Sequence, residues 1–270
     1  MNPEEISRYS RQLLLPEIGV HGQEKLKNAK VLLVGAGGLG SPVAMYLAAA
    51  GVGTLCIADF DQVDLSNLQR QIAYKTKDIG AQKIEVISEL LKEMNPLVSI
   101  ITYNVALTAK NALDIAKDYQ IAIDCSDNFQ TRYLLSDSCV LSEKPYVHGS
   151  VSGLKWQTSF FYAKQGPCYR CLYPEPPPPD LKPNCLTNGV LGVLPGIIGS
   201  IMANEVLKWI VMGEYNGNLL LFNAWGTRFN EVKIEKDENC PICGKNPSIK
   251  ALIDYGDMES ACGSIANRFS

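Results

Sequence analysis

The chain is predicted to be an α/β protein built on a mostly parallel sheet with helices on both faces, and three observations predict it. A short apolar run, Lys30-Val31-Leu32-Leu33-Val34, leads directly into the glycine loop Gly35-Ala36-Gly37-Gly38-Leu39-Gly40. Strand-like and helix-like segments alternate with short connections through the first half, the pattern of a parallel sheet covered on two sides. Asp59-Phe60-Asp61 then closes the next apolar run, about 20 residues past the loop, where an acid can hydrogen-bond a ribose hydroxyl. Together these give a Rossmann-like nucleotide-binding region.

The elements follow in order. Lys30 to Val34 is short and apolar enough for a buried strand. Ser41-Pro42 opens a helix that runs through Ala50, with proline in the first turn, where its missing N–H is tolerated. Thr54 to Ala58 is a second strand, and Gln82 to Met94 a helix whose Ile84, Ile87, Leu91 and Met94 share one face. Val98 to Tyr103 and Ile121 to Asp124 are further strands, and Asn128 to Ser142 a further helix. Ligands of such sheets gather at the carboxyl ends of the strands, where the loop, Asp59 and Asp127 fall. After Tyr146 the pattern changes. Trp156 to Tyr162, Leu219 to Ala224 and Glu231 to Ile234 read as antiparallel additions around a helix at Ser200 to Met212. The expected division is an N-terminal helical segment and nucleotide-binding region over 1–150, an antiparallel extension over 151–244, and a tail over 245–270. No internal repeat is visible.

Composition points to a cytoplasmic enzyme. The 270 residues can bury a substantial core, and 46% hydrophobic with 20% charged is ordinary for a globular chain. A net charge of −3 gives no electrostatic ground for a nucleic-acid partner. Met1-Asn2-Pro3-Glu4-Glu5 has neither the basic nor the apolar part of a signal peptide. The most apolar stretch, Gly189 to Met212, is interrupted by Pro195, Asn204, Glu205 and Lys208, which favours a buried helix over a membrane span.

The glycine loop by itself is a weak signal, and the charges after it sharpen it. Ser66-Asn67-Leu68-Gln69-Arg70 and Lys83 lie downstream, and Arg11 lies near the N-terminus. Singly, Arg70 and Lys83 read as solvated surface charges, and Asp59 as a turn cap. Three cations around one phosphate loop suit an enzyme that breaks a triphosphate better than one that transfers hydride. Asp127 and Asn128 fit a helix N-cap, and a carboxylate there also fits a hard Mg²⁺ ion. His21 and His148 have no evident carboxylate or nucleophile partner and read as structural.

Two C-x-x-C hooks, Cys168-Tyr-Arg-Cys171 and Cys240-Pro-Ile-Cys243 followed by Gly244, supply the four soft ligands of a closed Zn²⁺ site. The tight turn at Gly244 is expected to bring backbone N–H groups toward sulfur. A redox disulfide is the alternative, less suited to a cytosolic chain. Their long separation makes the metal a staple between distant segments. Cys56, Cys125 and Cys139 sit in apolar runs and read as inert core thiols, and Cys262 gets no role. Cys185 differs, because it follows the proline run Glu175-Pro176-Pro177-Pro178-Pro179-Asp180. A thiol on an extended surface segment suits a covalent nucleophile or sulfur relay, or else a buried loop anchor.

Arg8-Tyr9-Ser10-Arg11-Gln12, the glycine loop, Ala50-Gly51-Val52-Gly53, Leu65-Ser66-Asn67-Leu68-Gln69-Arg70-Gln71, Asp124-Cys125-Ser126-Asp127-Asn128 and both cysteine hooks together resemble the ThiF/MoeB/HesA adenylyltransferases, prokaryotic relatives of ubiquitin-activating enzymes. The resemblance runs from about Arg8 to Gly244. Tyr173 to Pro179 and Gly189 to Gly196 look most like the MoeB-like branch that often carries a C-terminal rhodanese domain. Asn246 to Tyr255 resembles that branch's linker, so here sulfur is expected from a separate donor, a rhodanese or cysteine desulfurase. The resemblance implies adenylylation of the C-terminal glycine of a ubiquitin-like sulfur carrier ending in Gly-Gly, MoaD-like or ThiS-like, with ATP and Mg²⁺, for molybdopterin or thiamine biosynthesis. It places ATP against Gly35, Gly37, Gly38, Gly40, Asp59, Asp61, Ser66, Asn67, Arg70, Lys83, Asp127 and Asn128, with Asp127 holding Mg²⁺. Arg11 would reach the triphosphate of the neighbouring subunit in a homodimer, and Cys185 would act after adenylylation. An NAD-dependent oxidoreductase would explain the loop and Asp59, but not the three cations or the hooks. A catalytically silent scaffold for a ubiquitin-like protein has no use for the full charge set.

Overall fold

The computed structural model describes residues 1–177 and 189–255. Cys185, Cys262 and most of the tail lie outside them. The chain opens with α1 (Pro3–Arg8), α2 (Ser10–Leu13) and α3 (Gly19–Asn28). A reciprocal capping box starts α1: the Glu5 N–H donates to Asn2 and the Asn2 N–H donates to Glu5. Then follow β1 (Lys30–Val34), α4 (Gly40–Ala50), β2 (Thr54–Ala58), α5 (Lys83–Met94), β3 (Ser99–Tyr103), α6 (Ala112–Ala116), β4 (Ile121–Asp124) and α7 (Phe129–Leu141). Beyond lie β5 (Tyr146–Ser152), β6 (Lys155–Phe161), α8 (Tyr169–Leu172), α9 (Val193–Met212), β7 (Leu219–Asn223) and β8 (Arg228–Val232).

All eight strands form one sheet in the order β3-β2-β1-β4-β5-β6-β7-β8. The first five are parallel and the last three antiparallel. Both faces of its centre are covered, as the apolar runs require. Val31, Leu33, Leu55, Ile57, Ile121 and Ile123 pack into one core with residues of α4, α5 and α9. The alternate residues Leu32, Val34, Cys56, Ala58 and Ala122 pack into a second with α6 and α7. The sheet order reverses direction between β1 and β4, and the crevice at such a reversal is where a ligand fits.

The elements expected in the first half are found to within a residue or two, α6 comes in addition to them, and the second half corrects the expectation three times. Strand β5 was not expected. Gly149 and Ser150 interrupt its apolar pattern, but the glycine lets the strand lie against Met202 of α9, whose Sδ would sit 2.3 Å from an added Cβ. Helix α9 begins at Val193 rather than Ser200, because Pro195 falls in its first turn, where it breaks no hydrogen bond. β8 runs from Arg228 to Val232 rather than from Glu231 to Ile234. Its register pairs Phe229 with Phe222, whose rings lie 4.5 Å apart. The division expected at residue 150 falls inside β5. Although α9 is long and apolar enough to span a membrane by composition, it packs between α3, α4, β5 and β6 as a core helix.

One buried ion pair binds α7 to α8. Arg170 donates from Nε and Nη2 to the two oxygens of Asp137, both at 2.8 Å, and neither residue is more than 2% exposed. The Tyr255 hydroxyl adds a bond to Asp137 at 2.9 Å. Breaking such a pair leaves a charge stranded in the interior. Asp137→Ala is expected to lose about 3–5 kcal/mol, read as a lower denaturant midpoint. The double variant Asp137→Ala with Arg170→Met should recover part of that loss.

Candidate active site and cysteine centre

The glycine loop starts where β1 ends. Gly35 has φ +96°, a left-handed conformation that favours glycine, and a Cβ there would lie 2.6 Å from the Cys125 carbonyl oxygen. A Cβ on Gly40 would lie 2.0 Å from the Gly35 carbonyl oxygen. The loop is therefore pressed against both the β4 end and the start of α4. It opens into a cavity of about 440 Å³ at the carboxyl ends of β1, β2 and β4, within the range for a small-molecule ligand. Gly35, Gly37 and Gly38 line it. Gly40 does not, and serves the close packing of loop against helix.

Asp59 ends β2 at the cavity wall. Its carboxylate accepts the Ala36 N–H at 2.7 Å and the Asp61 N–H at 2.8 Å, which fixes it against the loop. Burial pushes its carboxyl above the usual range, opposed by Lys83 and the two N–H bonds. Lys83, the first residue of α5, is buried and ion-paired with Asp61 at 2.8 Å. Ser66, Asn67 and Arg70 form a self-closed turn: Asp64 accepts from the Ser66 N–H, and Arg70 Nη1 donates to the Ser66 carbonyl at 2.9 Å. All six of these expected residues line the cavity, as do Asp127 and Asn128. Asn128 caps α7 by accepting the Thr131 N–H at 2.8 Å, and Asp127 stays exposed. Arg11 is exposed on α2, outside the lining.

Sequence reasoning missed Arg132, a further cation in the cavity lining, set in the first turn of α7 and 7% exposed. Its spacing gave a signal: it lies one turn beyond Asn128, on the same face of α7. Its Nε lies 3.5 Å from Asp124 Oδ2. Asp124 is fully buried, and its Oδ1 accepts from the Ser126 N–H at 2.9 Å and the Ser126 hydroxyl at 2.5 Å. Oδ2 takes the Tyr146 hydroxyl at 2.8 Å and His148 Nδ1 at 2.9 Å. His148 was expected to lack a carboxylate partner. It has one, because the unexpected strand β5 sets it beside the end of β4. Burial pushes the imidazole down, so the neutral ring donates its Nδ1–H to the carboxylate.

The two cysteine hooks meet. Sγ atoms lie 3.9 Å apart for Cys168 and Cys171, 3.5 Å for Cys168 and Cys240, and 3.5 Å for Cys171 and Cys243. All four fall within 4.8 Å of one another. Four sulfurs about 2.3 Å from one zinc in a tetrahedron stand about 3.8 Å apart, so the donor set and spacing fit Zn²⁺ with no position left for a substrate. Sulfur is supported by backbone N–H groups of Cys168 and Asp237, both directed at Cys171 Sγ. The Gly244 N–H itself goes to the Cys240 carbonyl and closes the tight turn after the second hook. Cys56, Cys125 and Cys139 are buried, and burial pushes the Cys56 thiol up to about 11.

A glycine loop at a sheet reversal, an acid at the next strand end and cations across the cavity define a nucleotide-handling α/β protein. The chain belongs to the ThiF family, which it matches over residues 9–242. It is 46% identical over 268 residues to the sulfur carrier protein adenylyltransferase of Thermus thermophilus, spanning 96% of this chain and 97% of that protein. It is 47% identical over 258 residues to the adenylyltransferase and sulfurtransferase MOCS3 of Aedes aegypti, spanning 94% of this chain but 59% of that protein. Like these relatives, the chain is an adenylyltransferase. The fold is also that of E. coli MccB, crystallised with ATP, at a TM-score of 0.77 and 23% identity over 87% of this chain and 74% of that one.

The cysteine centre is expected to hold one zinc per chain, measured by elemental analysis of the purified protein. Cys240→Ser should lose most of that zinc and lower the melting temperature, whereas Cys139→Ser should leave zinc content unchanged.

Proposed function

We propose that this enzyme adenylylates the C-terminal glycine of a ubiquitin-like sulfur carrier, releasing pyrophosphate. The observation that carries the reading is the juxtaposition of Asp59, Lys83 and Arg70 around the glycine loop in one cavity. The likeness to a sulfur carrier protein adenylyltransferase over nearly the whole of both chains supports it. A C-terminal carboxylate has a pKa of about 3.5, so it is already ionised and attack on the α-phosphate needs no general base. The barrier lies in bringing an anion to a polyanion and in stabilising charge on the leaving pyrophosphate. Positioned cations do that work.

Asp59 takes the ribose hydroxyls. The backbone around Gly38 and the start of α4 meet the phosphates, as helix N-termini do. Asn67, Arg70 and Lys83 contact the phosphate chain, and Arg11 arrives from the second subunit of a homodimer. Asp59, Asp61, Asp64 and Asp127 outnumber Arg70, Lys83 and Arg132 in the lining. A tetra-anionic nucleotide would meet net repulsion there unless metal came with it. Mg²⁺ fits this donor set, with the exposed Asp127 carboxylate holding it, and when bound it supplies charge neutralisation to the phosphates. Cys185 acts after the adenylate has formed, as acceptor or relay for a separate sulfur donor. The carrier is of the molybdopterin or thiamine kind, and the loop resemblance leans toward molybdopterin.

ATP–[³²P]pyrophosphate exchange tests the reading, with each candidate Gly-Gly carrier added in turn. Exchange should appear only with a carrier present; none with any carrier, from zinc-loaded folded protein, would sink it. Arg70→Ala and Asp127→Ala are each expected to cut exchange by at least about 100-fold, with the melting temperature unchanged. Cys185→Ala should keep exchange at the wild-type rate, and its loss would contradict a role after adenylylation.

A further inference from the structure

The segment that follows the second cysteine hook has no part in the site described above, yet it is held at several points. The Ile249 N–H donates to the Pro241 carbonyl at 2.9 Å, and the Ile249 side chain packs against the cysteine centre. Leu252 and Tyr255 pack against the core shared by α6 and α7, which also holds Leu107. The Tyr255 hydroxyl donates to Asp137 at 2.9 Å and accepts from Arg170, and its ring lies 5.7 Å from that of Tyr133. Beside it, Asp254 Oδ1 accepts the Ala109 N–H at 2.7 Å. Ala109 belongs to the loop from β3 to α6, whose Val105, Ala106 and Leu107 line the cavity. That loop starts next to Asp59, whose N–H donates at 3.2 Å to the carbonyl of Tyr103, the last residue of β3. Asn111 shapes it from within, accepting the Thr108 N–H at 2.8 Å and donating to the Ala106 carbonyl at 2.9 Å. Asp254, 145 residues away in sequence, fastens it from outside.

We infer that the segment from Ile249 to Tyr255 is a strap that positions the 105–111 wall of the cavity, with the Asp254 carboxylate as its contact. Only the identity of the nucleotide rests on the adenylylation reading. Asp254 is exposed, and an exposed acceptor on an unfastened segment would lose in ordering what it gains in contact. Here the adjacent Tyr255 is already fixed to the Asp137–Arg170 pair, so the carboxylate is presented in place. The wall it holds is apolar at Val105, Ala106 and Leu107. It follows β3, two strands from the glycine loop at β1, a separation of roughly 10 Å. A nucleotide with its phosphates at the glycine loop meets this wall with its base or ribose. The strap therefore bears on one end of the ligand and leaves the phosphate end alone, and Asp254 and Tyr255 are positioning residues.

The test is a calorimetric titration of Mg·ATP, and separately of Mg·tripolyphosphate, into the zinc-loaded full chain. Asp254→Ala removes the acceptor, whereas Asp254→Asn keeps an acceptor oxygen at the same place. Asp254→Ala is expected to raise the Kd for Mg·ATP about fivefold, a coupling of ordinary size between a distant contact and a site. Its Kd for Mg·tripolyphosphate and its melting temperature should stay at wild-type values, and Asp254→Asn should bind Mg·ATP as wild type does. In pyrophosphate exchange the KM for Mg·ATP should rise by the same factor, with the KM for carrier unchanged. A wild-type Kd for Mg·ATP in Asp254→Ala overturns the inference. So does an equal weakening of Mg·tripolyphosphate, or a rise that comes only with a lower melting temperature, either of which would make the strap a general brace. Wild-type protein that binds Mg·ATP but exchanges pyrophosphate with no carrier would end the adenylylation reading and leave this inference standing; wild-type protein that binds no Mg·ATP would overturn both.

Discussion

The rest of the structure depends on how closely the end of β1 approaches the end of β4. At Gly35 no side chain fits, because the Cys125 carbonyl occupies the space a Cβ would need. That contact sits where the sheet order reverses, so the two strands diverge into α4 on one side and α7 on the other. The crevice between them is the cavity. Its floor is backbone, which lets a ligand's phosphates come close to N–H groups, and its walls carry the charged side chains. Packing alone therefore makes the cavity; the charges are added on its walls.

Those charges are held in place by one another. Lys83 is buried and would be costly there without Asp61, and Asp61 is in turn tied through its N–H to Asp59. Asp59 reaches back to Ala36 in the loop. One chain of contacts thus joins Lys83, Asp61 and Asp59 to the glycine loop. On the opposite wall, Asp124 does the same for Arg132, Ser126, Tyr146 and His148. Groups fixed before a ligand arrives need little reorganisation when charge builds during reaction, which is where electrostatic catalysis gains most.

Much of this was legible in the sequence, and the reason differs between the two halves. β1, β2 and β4 are buried on both faces, so they read as unbroken apolar runs, and Gly35 and Asp59 follow them at fixed offsets. Asp61, Arg70 and Lys83 could be placed because they come soon after. β5 was hidden by Gly149, which is there for its contact with Met202 and not for strand propensity. Losing β5 also hid the partner of His148, since only parallel pairing with β4 brings that ring to Asp124. Arg132 drew no reading from the sequence, because only the tertiary packing of α7 buries it. β8 is exposed along its length, so no alternation marked its register, and the aromatic contact of Phe222 with Phe229 set it instead.

The cysteine centre answers a problem created by the antiparallel half. Strands β6, β7 and β8 extend the sheet away from the doubly covered core, and β8 buries none of its residues. An edge of that kind has little apolar area to hold it. The hooks join the segment just after β6 to the segment just after β8, so the four sulfurs close the extension at both of its ends. β6 in turn pairs along its whole length with β5, and Ser150, Val151 and Ser152 of β5 line the cavity. A metal bound to those sulfurs would stiffen the far wall of the cavity while touching nothing in it. Structural and catalytic roles are joined through the sheet itself, and the sequence distance between the hooks reflects how much of the chain that closure has to enclose.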